Sequence, residues 1–269
     1  MRKAVSISER RACRLAGLQR STLRYQSRIR EDDATLMDRI RELAQERRRF
    51  GYRRIHALLR RQGVEVNVKR VYRLYKAANL AVRRRKRRKG LSVEREPLVL
   101  PGRGNEVWSM DFLMDALSNS RRLKILTVVD DCTKEAIAIV PDYGICGRYV
   151  TRILDREARH RGYPRAIRTD QGPEFTGKVF DQWAYENRVE LKLIQAGKPT
   201  QNAYIESFNG KFRDECLNEH WFHSLADARA VISAWRQDYN EARPHSMLGY
   251  QTPFEVAETL RQQRPIETD

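Results

Sequence analysis

At 269 residues, with 41% hydrophobic and 33% charged side chains, the chain has room for one ordinary domain plus smaller modules and enough apolar mass to fold. No apolar run approaches membrane-spanning length, and MRKAVSISERR lacks the apolar centre of a secretory leader, so neither a membrane protein nor an exported one is expected. The net charge of +18 is one-sided: residues 1–100 hold 30 Lys and Arg against 10 Asp and Glu, whereas residues 101–269 hold 23 against 25.

That asymmetry predicts a nucleic-acid-gripping half joined to a near-neutral half, the plain alternative being a solvated helical surface. Cys13, Cys132, Cys146 and Cys216 are scattered without a CxxC pair. They read as thiols of a reducing cytoplasm, not as disulfides or zinc ligands.

Residues 1–30 predict a short helix–turn–helix-like segment, with two helices broken at Gly17 and capped by Ser8 and Ser21. Residues 35–80 are more periodic. Leu36, Ile40, Leu43 and Ala44 form one apolar stripe, and Tyr52, Ile55, Leu58 and Leu59 repeat it after Phe50-Gly51. Gly63 ends that helix and Asn67 caps a third. Lys69, Arg70, Arg73 and Lys76 make the third helix basic, as in a helix–turn–helix domain whose last helix enters the major groove; a plain three-helix bundle is the alternative. Arg83, Arg84, Arg85, Lys86, Arg87, Arg88 and Lys89 follow without interruption. Such a run cannot enter a core and predicts phosphate contacts that give affinity without sequence specificity. It opens a basic linker over 81–103, with Pro97 and Pro101.

Beyond the linker, residues 104–222 alternate strand and helix. VWSMDFL, LKILTVVDD and AIAIVP are three short β-rich runs, followed by a helix over 146–161, the strand PRAIRTD, a helix over 177–188, the strand VELKLIQ and a helix over 202–218. A meander followed by β-α units predicts an α/β fold, a mixed sheet flanked by helices. Residues 223–269 predict an amphipathic helix over 224–241 and a turn-rich, irregular tail.

Three acidic residues stand out in this part of the chain. Asp111 lies within a strand between the apolar Met110 and Phe112, where a carboxylate is disfavoured unless something pairs with it. Asp170 ends a strand before Gln171-Gly172-Pro173, at the carboxyl end where sheets bind ligands. Glu206 lies early in a helix, with 35 residues between it and Asp170. Singly, each has a dull explanation as turn former, helix-start acid or strand-edge charge. Together they are the donors that a two-metal phosphoryl-transfer site requires, hard anionic oxygens around two Mg²⁺ ions. Asp130 and Asp131 read as turn formers or supporting groups, and Glu174 as a neighbour of Asp170. Lys198, Gln201, Asn202 and Tyr204 precede Glu206 on a segment suited to holding DNA, with Tyr204 placed to stack on a base.

WSMDF, VVDD, RTDQGPEF, the 35-residue gap, NAYIESFNGKFRDE and YNEARPHSMLGYQTP resemble the integrase-type DDE transposases of bacterial two-frame insertion sequences, in particular the second-frame subunit related to retroviral integrases. The resemblance spans roughly residues 36–256. It implies a ribonuclease H-like fold for the catalytic core, with Asp111, Asp170 and Glu206 as catalytic metal ligands and Arg213, seven positions after the Glu, as a DNA contact. It also implies two Mg²⁺ ions, with Mn²⁺ able to substitute, and strand cleavage followed by strand transfer at the terminal inverted repeats and a target DNA. Further implied are a homo-oligomer on DNA, an upstream-frame partner protein and a nucleoid-associated, cytoplasmic life. Unlike retroviral integrases, the chain has no paired His and Cys near its start, and His220 with His223 lacks a completing pair, so no zinc is expected. Two rivals remain: a ribonuclease H-like nuclease without strand transfer, and a non-catalytic DNA-binding regulator.

Overall fold

The computed structural model describes residues 7–25, 32–82, 101–194 and 202–263. Two short helices, α1 (Glu9–Leu15) and α2 (Arg20–Leu23), come first. Ser8 caps α1 as expected, its hydroxyl accepting from the Arg11 amide. Ser21 does not cap α2: that helix starts one residue before it, after Gln19, without a side-chain cap.

Helices α3 (Asp33–Glu46), α4 (Tyr52–Arg61) and α5 (Val68–Ala77) form the expected three-helix unit. Their apolar stripes converge: Leu36, Ile40, Leu43, Phe50, Ile55, Leu59, Val71, Leu74 and Tyr75 make one buried cluster. Asn67 caps α5, accepting from the Lys69 amide at 2.8 Å. Gly63 takes a positive φ of 79° just past α4, a conformation only glycine adopts cheaply.

The second unit is a five-stranded sheet in the order β3-β2-β1-β4-β5. β1 (Val107–Ala116), β2 (Arg122–Asp130) and β3 (Ala136–Asp142) are an antiparallel meander, while β4 (Ala166–Thr169) and β5 (Glu190–Leu193) run parallel to β1. α6 (Gly147–Arg161) and α7 (Lys178–Glu186) supply the crossovers and cover one face. Trp108 and Met110 of β1 point into that layer. Because side chains alternate along a strand, Ser109, Asp111 and Leu113 point to the other face. There α8 (Ala203–Glu215) and α9 (Leu225–Glu241) bury Ile205, Phe208, Phe212 and Ile232 against Leu113, Ile125 and Val129. The predicted mixed sheet is thus present, and it fixes which residues of β1 can meet α8.

The tail is not irregular throughout, contrary to the reading above. Pro253–Gln262 is a helix, α10. Thr252 accepts from the Glu255 amide while the Glu255 carboxylate accepts from the Thr252 amide, and Pro253 fills the first turn. Such a capping box with a leading proline is a helix start written in four residues. No helix among the described residues is long and apolar enough to cross a membrane.

Candidate active site

Asp111 sits mid-strand in β1, directly opposite Thr127 of β2. One carboxylate oxygen accepts from the Phe112 amide at 2.8 Å, the other from Asn209 Nδ2 at 2.7 Å. Asn209 Oδ1 in turn accepts from the Thr127 hydroxyl at 3.0 Å. An ionised carboxylate can only accept, which fixes the Asn209 amide with its NH₂ toward Asp111 and its oxygen toward Thr127. Thr127 and Asn209 are both buried, so this relay is shielded from competing water.

Asp170 follows β4 directly. Since β4 pairs in parallel with β1, with Ser109 opposite Arg168, two residues further along both strands Asp170 comes out near Asp111, close enough for its charge to be felt there. Its carboxylate accepts from the Gly172 amide at 3.1 Å, which closes the turn after the strand. Gly172 leaves room there: a Cβ would lie 3.1 Å from that same Asp170 oxygen, a tight contact. Glu206 is the fourth residue of α8 and exposed, while Ile205 and Phe208 beside it anchor the helix to the sheet.

Asp111 senses the other two carboxylates. The Asp111 carboxyl is pushed up to about 6, first by burial and then by the negative charges of Asp170 and Glu206, against the opposing Phe112 and Asn209 hydrogen bonds. As the side chains stand, no three His, Cys, Asp or Glu among the described residues are close enough to grip one ion. The donor set nonetheless fits a hard divalent cation, being all carboxylate and carrying mutual repulsion that a cation would relieve.

The other candidates fare differently. Arg213 is exposed two turns along α8 from Glu206, with its guanidinium 3.5 Å from the Met114 carbonyl. Tyr204 is partly buried and has Lys134 Nζ 3.7 Å from its ring centroid, so one ring face already holds a cation. On α5, Lys69, Arg73 and Lys76 are exposed. Arg73 nevertheless pairs with Asp33 at 2.7 Å, and Arg70 pairs with both Asp32 and Asp33. Half of the basic face is therefore engaged by acids at the start of α3. Arg83, Arg84, Arg85, Lys86, Arg87, Arg88, Lys89, Lys198 and Gln201 lie outside the described residues.

Among the flanking acids, Asp130 is a turn former, accepting from the amides of Asn105, Cys132 and Thr133. Asp131 is fully buried and pairs with Arg168 at 2.6 Å. Glu174, beside the Asp170 turn, is held by Lys124, whose ammonium also lies 4.1 Å from the Phe112 ring centroid. Sequence reasoning missed Asn209. Its signal was a polar residue three positions after Glu206 on a stripe otherwise made of Ile205, Phe208 and Phe212.

Comparison with known proteins agrees with this fold. Residues 101–199 and 187–253 match two families described as integrase core domain, and residues 30–88 match an HTH-like domain. The chain is 68% identical to the 31.7 kDa protein of insertion element IS407 of Burkholderia multivorans, over 96% of this chain and 93% of that protein. It is 55% identical to the 39.2 kDa protein of insertion element IS476 of Xanthomonas euvesicatoria, over 96% and 75%. Transposase InsD for insertion element IS2D of Escherichia coli is 28% identical over 83% and 78%. In fold, the chain resembles one from the simian T-cell lymphotropic virus intasome solved with PP2A regulatory subunit B56 gamma, with a TM-score of 0.51 at 13% identity, over 86% of this chain and 76% of that one. The sheet of residues 101–194 with its flanking helices is accordingly a ribonuclease H-like integrase core, and the chain belongs to the family of insertion-element proteins that carry this core behind an HTH-like domain.

Proposed function

We propose that this chain is the transposase of its element, cutting DNA strands at the element's ends and joining them to a target through Asp111, Asp170 and Glu206. One observation carries the reading: carboxylates from a central strand, its parallel neighbour and a covering helix face one another, with Asp111 already oriented by the buried relay from Thr127 through Asn209. A structural acid has no need of two further carboxylates beside it.

Asp111, Asp170 and Glu206 would hold two Mg²⁺ ions, or Mn²⁺ in their place, which when bound supply Lewis-acid stabilisation of phosphoryl oxygens and a more acidic water or 3′-hydroxyl. The chain's own contribution is placement. The Phe112 amide and Asn209 hold both Asp111 oxygens in one orientation, and the Gly172 amide does the same for Asp170. Oriented donors need no reorganisation when charge develops. The helical unit and the run Arg83–Lys89 supply affinity for double-stranded DNA, both terminal repeats and target, with Lys69, Lys76 and Arg213 as further contacts. Two DNA ends require more than one subunit, and the upstream-frame protein is a second partner of this reading.

Labelled terminal-repeat DNA incubated with Mg²⁺ and target plasmid tests it. Wild type should yield cut and joined products, and Asp111→Asn, Asp170→Asn and Glu206→Gln neither, with end binding retained. Joining that survives any of the three substitutions overturns that residue's role. Cutting without joining would instead favour the nuclease, and binding without cutting the regulator.

A further inference from the structure

Several arginines around Phe50-Gly51 turn toward the catalytic unit, while Arg48 and Arg53 stay exposed. Arg47 of the α3–α4 turn reaches both carboxylate oxygens of Asp238 on α9 at 2.5 and 2.6 Å. Arg49 meets Glu219 at 3.2 Å, Arg61 meets Glu255 of α10 at 2.5 Å, and Arg54 of α4 meets Glu215 of α8 at 3.2 Å. Arginines come from the helical unit and acids from the catalytic unit in every case. Phe50 is 4% exposed at the centre of this seam, with the guanidinium carbons of Arg47, Arg54 and Arg243 5.8, 5.0 and 5.7 Å from its ring centroid. Isolated surface ion pairs contribute little. This set is different, because it surrounds a buried aromatic and its central acid is itself largely buried, with 12% of the Glu215 side chain exposed.

Glu215 is the last residue of α8, where the negative end of the helix dipole disfavours a carboxylate. It is held there by a two-pronged contact from the buried Arg243, at 2.7 and 2.6 Å, and by Arg54 from the other unit. Glu206 and Asn209 ride on the same helix, Glu206 nine residues upstream, about 13 Å along a rigid rod. A grip on one end of that rod therefore fixes the register of the other against the sheet.

We propose that Arg54 is a positioning residue: through Glu215 the DNA-reading helical unit, docked by its arginines onto the acidic rim of α8, α9 and α10, sets the placement of the helix that carries Glu206 and Asn209. The inference rests on the assignment of Glu206 to the catalytic centre. It makes cutting depend on the helical unit being seated, beyond any contact that unit makes with DNA.

The test uses the full chain as wild type, Arg54→Ala, Arg54→Lys and Arg41→Ala, the last removing an exposed pair with Asp38 inside α3. Three quantities are read: affinity for terminal-repeat DNA, single-turnover cleavage of DNA already bound, and amide hydrogen exchange along α6 and α8. Arg54→Ala should bind the ends like wild type, cleave them about tenfold more slowly, the low end of what loss of a supporting partner costs a metal site, and exchange faster in α8 alone. Arg54→Lys, which keeps the charge, should recover part of both effects, and Arg41→Ala should show neither. Unchanged cleavage and exchange overturn the proposal, as does equal acceleration in α6 and α8, which is plain destabilisation. Parallel loss of affinity and cleavage also overturns it, because Arg54 would then be a DNA contact. A Glu206→Gln chain run alongside separates the two claims: if it still cleaves, the catalytic assignment fails, whereas the exchange pattern still reports whether Arg54 governs α8.

Discussion

Asn209 is the residue on which the orientation of Asp111 turns. Its NH₂ is the only side-chain donor given to the Asp111 carboxylate among the described residues, at 2.7 Å, and its oxygen satisfies the buried Thr127 hydroxyl. On the proposed assignment of Asp111 as a metal ligand, Asn209→Ala should lower cleavage by about 10- to 100-fold, the usual effect of removing an orienting partner, while end binding stays intact. Single-turnover kinetics at saturating DNA measure it, and a wild-type rate would remove Asn209 from the machinery. The expectation for Asp111, Asp170 and Glu206 came from the distinctive string around each, and for Asp111 also from a carboxylate between Met110 and Phe112 that needs an explanation. Asn209 was not legible, because its partners stand 98 and 82 residues away. Nor was the pairing of Arg70 and Arg73 with Asp32 and Asp33, since a basic helix looks the same in sequence whether its charges face DNA or a neighbouring helix.

At the scale of elements, the strands and most helices followed from periodicity alone, since β-branched runs such as LKILTVV and stripes such as Leu36–Ile40–Leu43 carry their own signal. α10 went unread because its stretch follows a run of turn residues, although Thr252-Pro253-Phe254-Glu255 announces it. Thr252 is completely buried and receives the Glu255 amide. Thr252→Ala should therefore destabilise the chain by about 1 kcal/mol, the usual cost of losing such a cap. Denaturant titration checks it, and an unchanged midpoint would mean that α10 contributes nothing to the cooperative fold. The second effect to look for is at the seam, because Glu255 also receives Arg61. A frayed α10 loosens one of the points where the helical unit rests.

The whole molecule divides its positive charge between two uses that look alike in sequence. Arg47, Arg49, Arg54 and Arg61 are spent on the catalytic unit's acids. The excess available for DNA must then come largely from elsewhere in the first hundred residues, and Arg83–Lys89 is its densest part. Replacing those seven cations by Gln should flatten the log–log salt dependence of binding by about 6 units if all of them touch phosphate, and by less with partial contact. Specific and random DNA should weaken alike. Binding measured across a salt series decides it, and an unchanged slope would show the run to be away from the backbone. The docking seam was illegible because the partners of Arg47, Arg49, Arg54 and Arg61 stand 161 to 194 residues downstream.

The parallel pairing of β1 with β4, with α8 laid across β1 and β2, has a consequence for the time at which the candidate site can form. Asp111 is made early during synthesis, Asp170 later, and Glu206 with Asn209 later still; no two of the three elements are neighbours in sequence. The contacts that join them are of high contact order and form late. During synthesis the HTH-like domain can therefore fold as a unit while the elements of the candidate site are still to come together. The order of the elements along the polypeptide thus holds back the meeting of Asp111, Asp170 and Glu206 until α8 has been made.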